Sequence, residues 1–322
     1  FSPLATQQSG RAVAFLTPSK LVSLPFASVD VLCVGHASYD LIFQVPHHPA
    51  ADEKTRATGF LGCGGGPAAN AAVTVARAGG KSAFAGHLGN DIFGQRHMDE
   101  LREAGVLTDW IVCGDAPTPI STVLVKPNGQ RALVNYRGST QALSPDAIDF
   151  SSCQAKALLF EGHESLISPP LARQAKSQGI PTVLDAGSLH VGTELLMSLV
   201  DHLVCSEKFA TQATGQQNPQ LALEILLQHA PVVVITLGKQ GLIWARQDDD
   251  HGCLPAYPVA AIDTTGAGDT FHGAYALCVA QGRDWDYTLR YASAAAALSC
   301  ATLGARPGIP SHASTVALLA AN

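Results

Sequence analysis

Asp263-Thr264-Thr265-Gly266-Ala267-Gly268-Asp269-Thr270-Phe271 is the stretch from which the rest of the chain is read. Phe271, Ala274, Tyr275, Cys278 and Val279 follow it at helical spacing, so the glycines stand at the start of an amphipathic helix predicted over 268–280. The first turn of a helix leaves amide groups unpaired and carries partial positive charge, and glycines let an anion come close to them. Gly266, Ala267 and Gly268 therefore form a candidate anion hole, sized for a phosphate in transfer. Asp269 sits in the same turn, within reach of a hydroxyl bound beside that phosphate, where it would orient the hydroxyl and take its proton. An acid here also complements the helix dipole. The preceding glycines, and Asp263 upstream, favour the chemical role.

Working outward, apolar runs at 29–35, 82–86, 157–160, 181–185, 202–205 and 232–237 alternate with helical patterns at 68–78, 94–104, 169–178, 209–214, 220–228 and 287–301. Such alternation predicts βαβ units around a mostly parallel sheet, a three-layer α/β/α fold. A further strand at 241–245 leads through a hairpin towards 259. Segments 41–62 and 118–138 instead read as strand pairs, the second turning at Lys126-Pro127-Asn128-Gly129-Gln130 between 121–125 and 131–136. They predict a small β-sheet lid, which would keep water away from a reactive phosphate.

Composition narrows the function classes. The 322 residues are 47% hydrophobic but only 6% aromatic, which predicts an Ala, Val and Leu core. A formal net charge of −6 without a run of Lys or Arg argues against nucleic acid or an anionic membrane as partner. The longest apolar stretches, 231–237 and 292–300, are too short to span a bilayer, so a soluble, cytoplasmic protein is expected. Eight dispersed cysteines read as reduced core residues. Residues 1–28 hold Arg11 and Lys20 but no acid, and read as an extension ahead of a domain over 29–322, with organelle import as the competing reading. Asp248-Asp249-Asp250-His251 reads as a solvated loop tip.

A second block, Gly62-Cys63-Gly64-Gly65-Gly66-Pro67-Ala68-Ala69-Asn70, reads as a turn that delivers backbone amides to a ligand, with Pro67 opening a helix and Gly79-Gly80 closing it. Two rival phosphate motifs fail. Gly80-Lys81-Ser82 has Val75 where a P-loop needs its first glycine, and the strand ending at Gly86-His87 lacks the acid of a dinucleotide site.

The two blocks, with Gly86-His87-Leu88-Gly89-Asn90-Asp91-Ile92-Phe93-Gly94 between them, resemble the ribokinase-like (pfkB) carbohydrate kinases over residues 31–310. The resemblance implies ATP-dependent, Mg2+-assisted transfer of a γ-phosphate to a primary hydroxyl of a small sugar, with Asp269 as base. It places Asp40, Gly65, Gly66, Asn70 and Glu161 on the sugar, and Thr236, Gly238, Gly241, Ser206 and Ser293 on the nucleotide. Asp263, Thr265 and the carbonyls of Ser299, Thr302 and Gly304 resemble a site for a monovalent cation such as K+. Arg137 either meets an anionic group of the substrate or is a surface arginine, and His36, Tyr39 and His163 either line the pocket or are packed. The usual Asn-x-x-Glu motif is replaced by Ser206-Glu207-Lys208-Phe209, which leaves Mg2+ to nucleotide oxygens and water, with Glu207 as a substitute. Pro67 stands where ribokinases have a lysine, and Gly304-Ala305-Arg306-Pro307-Gly308-Ile309-Pro310 resembles the sulfofructose-kinase branch, so a ketose such as fructose or sulfofructose is expected. A nucleoside kinase and a non-catalytic sugar-binding regulator remain as alternatives. The family's lids often pair between subunits, which implies a homodimer.

Overall fold

The computed structural model describes residues 27–321; nearly all of the 1–28 extension therefore lies outside the described residues. Its strands are β1 (Ala27–Val34), β2 (Ser38–Gln44), β3 (Gly59–Gly65), β4 (Ser82–Gly89), β5 (Leu107–Gly114), β6 (Ile120–Val125), β7 (Arg131–Tyr136), β8 (Cys153–Phe160), β9 (Thr182–Ala186), β10 (His202–Ser206), β11 (Val232–Thr236), β12 (Leu242–Arg246) and β13 (His251–Leu254). Helices are α1 (Pro67–Arg77), α2 (Ile92–Glu103), α3 (Ser168–Ser177), α4 (Val191–Leu196), α5 (Glu207–Thr214), α6 (Pro219–Leu226), α7 (Ala267–Ala280), α8 (Trp285–Ser299), α9 (Ala305–Gly308) and α10 (His312–Ala320).

The main sheet runs β13-β12-β11-β10-β9-β8-β1-β4-β5, parallel except for the antiparallel β12 and β13 at one edge. Side chains alternate across it. Val31 and Cys33 of β1 join α1, α7 and α8 in one core, while Leu32 and Val34 join α3, α5 and α6 in the other. Three layers follow from burying both faces of these strands. Each fully buried Val or Leu contributes roughly 1.5–3 kcal/mol, and the sheet carries many of them.

Helix α7 departs from the expected amphipathic pattern: Thr270 through Cys278 are all buried, because it lies between the sheet, α1 and α8. It meets α1 so closely that a Cβ on Gly273 would lie 2.5 Å from the carbonyl oxygen of Ala71. That approach sets Asn70 of α1 beside the first turn of α7.

The second sheet is the lid, in the order β3-β2-β6-β7, with β2 and β6 parallel and the outer pairs antiparallel. It is wider than the expected 41–62 and 118–138, since β2 begins at Ser38 and β3 ends at Gly65. The glycine block is thus mostly strand rather than turn, and Gly66 alone, at φ 89°, makes the bend into α1. Elements not anticipated are β5, an edge strand with polar residues among its apolar ones, and the short α4 and C-terminal α10. The hairpin from β12 ends at Leu254, well before 259. Two cysteines expected in the core, Cys113 and Cys253, are exposed. Among the described residues no helix is long and apolar enough to cross a membrane.

Candidate active site

From β1 the chain proceeds to β4 and β5 on one side, and β8 to β11 continue on the other, so the topological switch falls between β1 and β8. Open α/β sheets bind ligands at that point, beyond the carboxyl ends of the strands. Here the two strands end at Val34 and Phe160, and the residues just beyond them, His36 and His163, line a cavity of about 390 Å³ roofed by the lid. That volume falls within the span of small-molecule sites, about 300–1,000 Å³.

Asp269 lies on the cavity wall with Gly266, Thr265 and Asn70. Its Oδ2 accepts a hydrogen bond from Asn70 Nδ2 at 2.8 Å. Burial raises the Asp269 pKa, while the Asn70 amide, His272 and Arg131 work against the rise. The first intrahelical bond is donated by Thr270 to Gly266 O; of the amides before it, Ala267 N donates to Thr264 O at 3.4 Å, which leaves those of Gly268 and Asp269. No side chain caps them. A Cβ on Gly268 would meet nothing within 4 Å, which leaves the front of the helix open to an anion.

Across the cavity stands Asp40, in the lid strand β2, with Oδ1 accepting from Ser38 Oγ at 2.9 Å. The glycine at 65 makes room for it: a Cβ there would lie 2.3 Å from Asp40 Oδ2. The glycines at 64 and 65 thus admit neighbouring side chains rather than present amides. Burial pushes the Asp40 pKa up to about 6, against the Ser38 hydroxyl and with Asp269 adding to the rise. The KM of an acceptor gripped by the Asp40 carboxylate is therefore expected to increase below about pH 6. Asp40→Asn should flatten that dependence, as read by initial rates across pH.

Glu161 does not line the cavity. It is buried beneath it, where it accepts from the His36 amide at 2.5 Å and pairs with His163 Nδ1. Burial works to raise the Glu161 carboxyl, yet His163 and His36 bring it below its ordinary value. Burial would likewise lower His163, and the Glu161 carboxylate overrides it to raise the imidazole. His36 is pushed down to about 3 by burial, with His163 and Arg137 adding to the fall. Neutral at Nδ1, it accepts from Arg137 Nη2 at 3.4 Å. Arg137 thereby brings positive charge to this end of the cavity, beside the His163–Glu161 pair.

Of the predicted nucleotide residues, Ser206 and Thr236 end β10 and β11, and Gly238 and Gly241 lie in the turn that follows β11. Thr236 donates to Cys205 O at 3.3 Å, and Gly238, at φ 57°, opens a single 3₁₀ turn. Gly241 and Ser206 have structural uses: a Cβ on Gly241 would lie 2.0 Å from Leu254 O, and Ser206 Oγ caps α5 at Phe209 N while donating to Gly187 O. Ser293 is half-buried on α8. Asp263 is buried and ties three groups together, with Oδ1 accepting from Thr265 N and Oγ1 and Oδ2 from Gly304 N. Ser299 is buried next to this loop and Thr302 is exposed.

Three further residues were not singled out as functional in the sequence. Arg131, at the start of β7, lines the cavity and also borders a second cleft with Lys126 and Thr264. Ser38 orients Asp40. Asp185, at the end of β9, is buried, its Oδ2 lies 3.3 Å from His272 Nδ1 without hydrogen-bond geometry, and burial raises its pKa. An acid ending a buried strand is the sequence signal that could have marked it.

This arrangement, a buried carboxylate beside an uncapped helix start at the switch point of an α/β sheet, suits a phosphotransferase acting on a small hydroxylated acceptor. Residues 29–312 match the pfkB family carbohydrate kinase profile, and the chain belongs to that family. It is an ATP-dependent sugar kinase. It is 28% identical over 294 residues to a ribokinase of Bacillus subtilis (strain 168), covering 88% of this chain and 97% of that one. With a fructokinase of Solanum tuberosum it shares 29% identity over 286 residues, 82% of this chain and 88% of the other. The structure of Arabidopsis thaliana ribokinase complexed with ribose and ATP superposes with a TM-score of 0.79 at 26% identity, covering 91% and 99% of the two chains.

Proposed function

We propose that this kinase phosphorylates a primary hydroxyl of a ketose, fructose or an anionic relative such as sulfofructose, with Asp269 as the base. The observation that carries the reading is the cavity itself, lined by Asp269 and by Gly266 at the start of α7 and also by Asp40, Arg137 and His163. Asp40 would grip sugar hydroxyls, Asn70 with Gly65 and the bend at Gly66 would shape the acceptor end, and Arg137 with His163 would meet an anionic substituent. Pro67 offers no amine where the ribokinases use one. A coupled assay at saturating MgATP over fructose, sulfofructose, ribose, 2-keto-3-deoxygluconate and adenosine tests this: the highest kcat/KM should fall to a ketose. A preference for ribose or adenosine would overturn it, and tight sugar binding without transfer would favour a regulator.

Mg2+ fits the residues present. No cluster of three acidic, histidine or cysteine side chains exists among the described residues, but Asp185 holds a buried oxygen free of hydrogen bonds. Asp185 would engage the ion or its waters, with nucleotide oxygens as the main ligands. The ion would supply charge neutralisation on the transferring phosphate. K+ belongs to the same proposal, at the loop that Asp263, Thr265 and Gly304 already hold together, with the Ser299 and Thr302 carbonyls. A homodimer through the lid is supported by Phe60, Val134 and Tyr136, large apolar side chains of β3 and β7 that are exposed. A cytoplasmic location accords with the cysteines, all unpaired.

A further inference from the structure

Arg306 is a buried cation with no place in the site described so far. It sits in α9, is 4% exposed, and reaches into the space between α1, α2 and β3. Its Nε donates to Asn70 Oδ1 at 3.1 Å, its Nη2 donates to His97 Nε2 at 3.0 Å, and its Nη1 lies 3.8 Å from Glu100 Oε2. Glu100 Oε2 in turn accepts from the backbone amide of Gly64 in the lid at 2.8 Å. His97 can accept because burial and the guanidinium hold its ring neutral.

A guanidinium has five donors and no acceptor, so the amide atom of Asn70 that faces it must be the oxygen. The nitrogen is then left facing Asp269, as a donor to its Oδ2. Without that constraint the Asn70 side chain could turn its oxygen towards the carboxylate, which would repel it. From these contacts we propose that Arg306 is a positioning residue for phosphoryl transfer: it fixes the orientation of the Asn70 amide and through it the place and ionisation of Asp269. Because Glu100 also holds Gly64 of β3, the same guanidinium ties the lid strand next to Asp40 to the base on the opposite wall. This inference rests on the reading of Asp269 as the base.

Asp269 is also faced by Arg131 of β7, Asp40 of β2, Glu161 just beyond β8, Asp185 of β9 and, on its own helix, His272. Of these, Asp40 also feels Arg306, whose charge lowers its pKa, so the KM profile that Asp40 governs reads that side effect apart from the kcat limb of Asp269. The test is a cycle of Arg306→Met, Asn70→Ala and the double variant, each read as kcat and KM against pH. Arg306→Met should lower kcat roughly ten- to a hundredfold, the worth of one hydrogen bond to a charged group, with the KM for ATP nearly unchanged. The acid limb of its kcat profile should move up by as much as about one pH unit, since the carboxylate loses a donor and is ionised only at higher pH. In the Asn70→Ala background the Arg306 change should cost little more. Equal costs in both backgrounds, or a fall in kcat with an unmoved acid limb, would overturn the proposal in favour of a purely structural role. If Arg306→Met does not fold, Arg306→Lys takes its place in the cycle, because it keeps the charge yet cannot serve Asn70 and His97 together. Asp269→Asn separates the two layers: its retained turnover defeats the reading of the base itself, whereas an inert Asp269→Asn with additive Arg306 and Asn70 effects defeats the positioning role alone.

Discussion

Asp269→Asn is expected to fold, to bind ATP as the unaltered protein does, and to turn over roughly 10²–10⁴ times more slowly, the span associated with loss of a general base. The exchange is nearly isosteric, and the new carbonyl can still accept from Asn70 Nδ2, so the α1–α7 contact survives. What disappears is the ability to take a proton from the acceptor hydroxyl. Because burial raises the Asp269 pKa, the base is ionised only above the ordinary carboxylate range, and kcat of the unaltered enzyme should fall as the pH drops through that raised value. Calorimetry for ATP binding with a coupled assay for kcat decides the matter. A variant within tenfold of the unaltered rate would leave Asp269 as a helix-dipole residue only.

The second large effect is expected at Gly266. This residue is the N-cap of α7 with φ 75°, and a Cβ there would stand 2.4 Å from that of Ala305. Gly266→Ala therefore combines a left-handed backbone, costing about 1–2 kcal/mol, with overpacking worth about 1–3 kcal/mol. No side-chain rotation can relieve it, since both atoms are fixed to backbone; α7 and α9 must separate. The α7 amides then leave the phosphate, and the loss of one such donor lowers kcat by roughly 10²–10³. Gly268→Ala is the contrast, because its Cβ meets no atom within 4 Å and it should melt no lower than the unaltered protein. A Gly266→Ala variant of normal melting temperature and kcat would show that the anion hole does not depend on this turn.

Much of this was available in the sequence because it is local. The run from Asp263 to Phe271 carries its own meaning, with glycines for close approach and an acid one turn in, and the βαβ alternation gives three layers without further information. The glycine block ends beside the cavity, but as strand rather than as the expected amide-presenting turn. Whether Gly65 offers an amide or makes room depends on Asp40, a side chain on the neighbouring strand, and that pairing is a matter of register. Arg306 and Asn70 meet across 236 residues, and nothing in either's neighbourhood announces the other. Glu161 was found as an acid at a strand end, but its burial under two imidazoles depends on where β1 and β8 finish together.

The parallel pairing of β2 with β6 has a bearing on how the protein comes into being. Tyr39 is matched with Ile120 and Asp40 with Ser121, so the lid cannot close around its inner strand until the whole β4–α2–β5 segment has been made and threaded past it. Contacts so distant along the chain are among the last to be won, as the loop must be closed before they repay it. Asp269 and Arg306 emerge later still. Until residues 263–306 have been made, a nascent chain on the ribosome therefore has at most the lid's side of the pocket, without Asp269 and the α7 amides, and so no complete pocket in which a nucleotide could be spent on water.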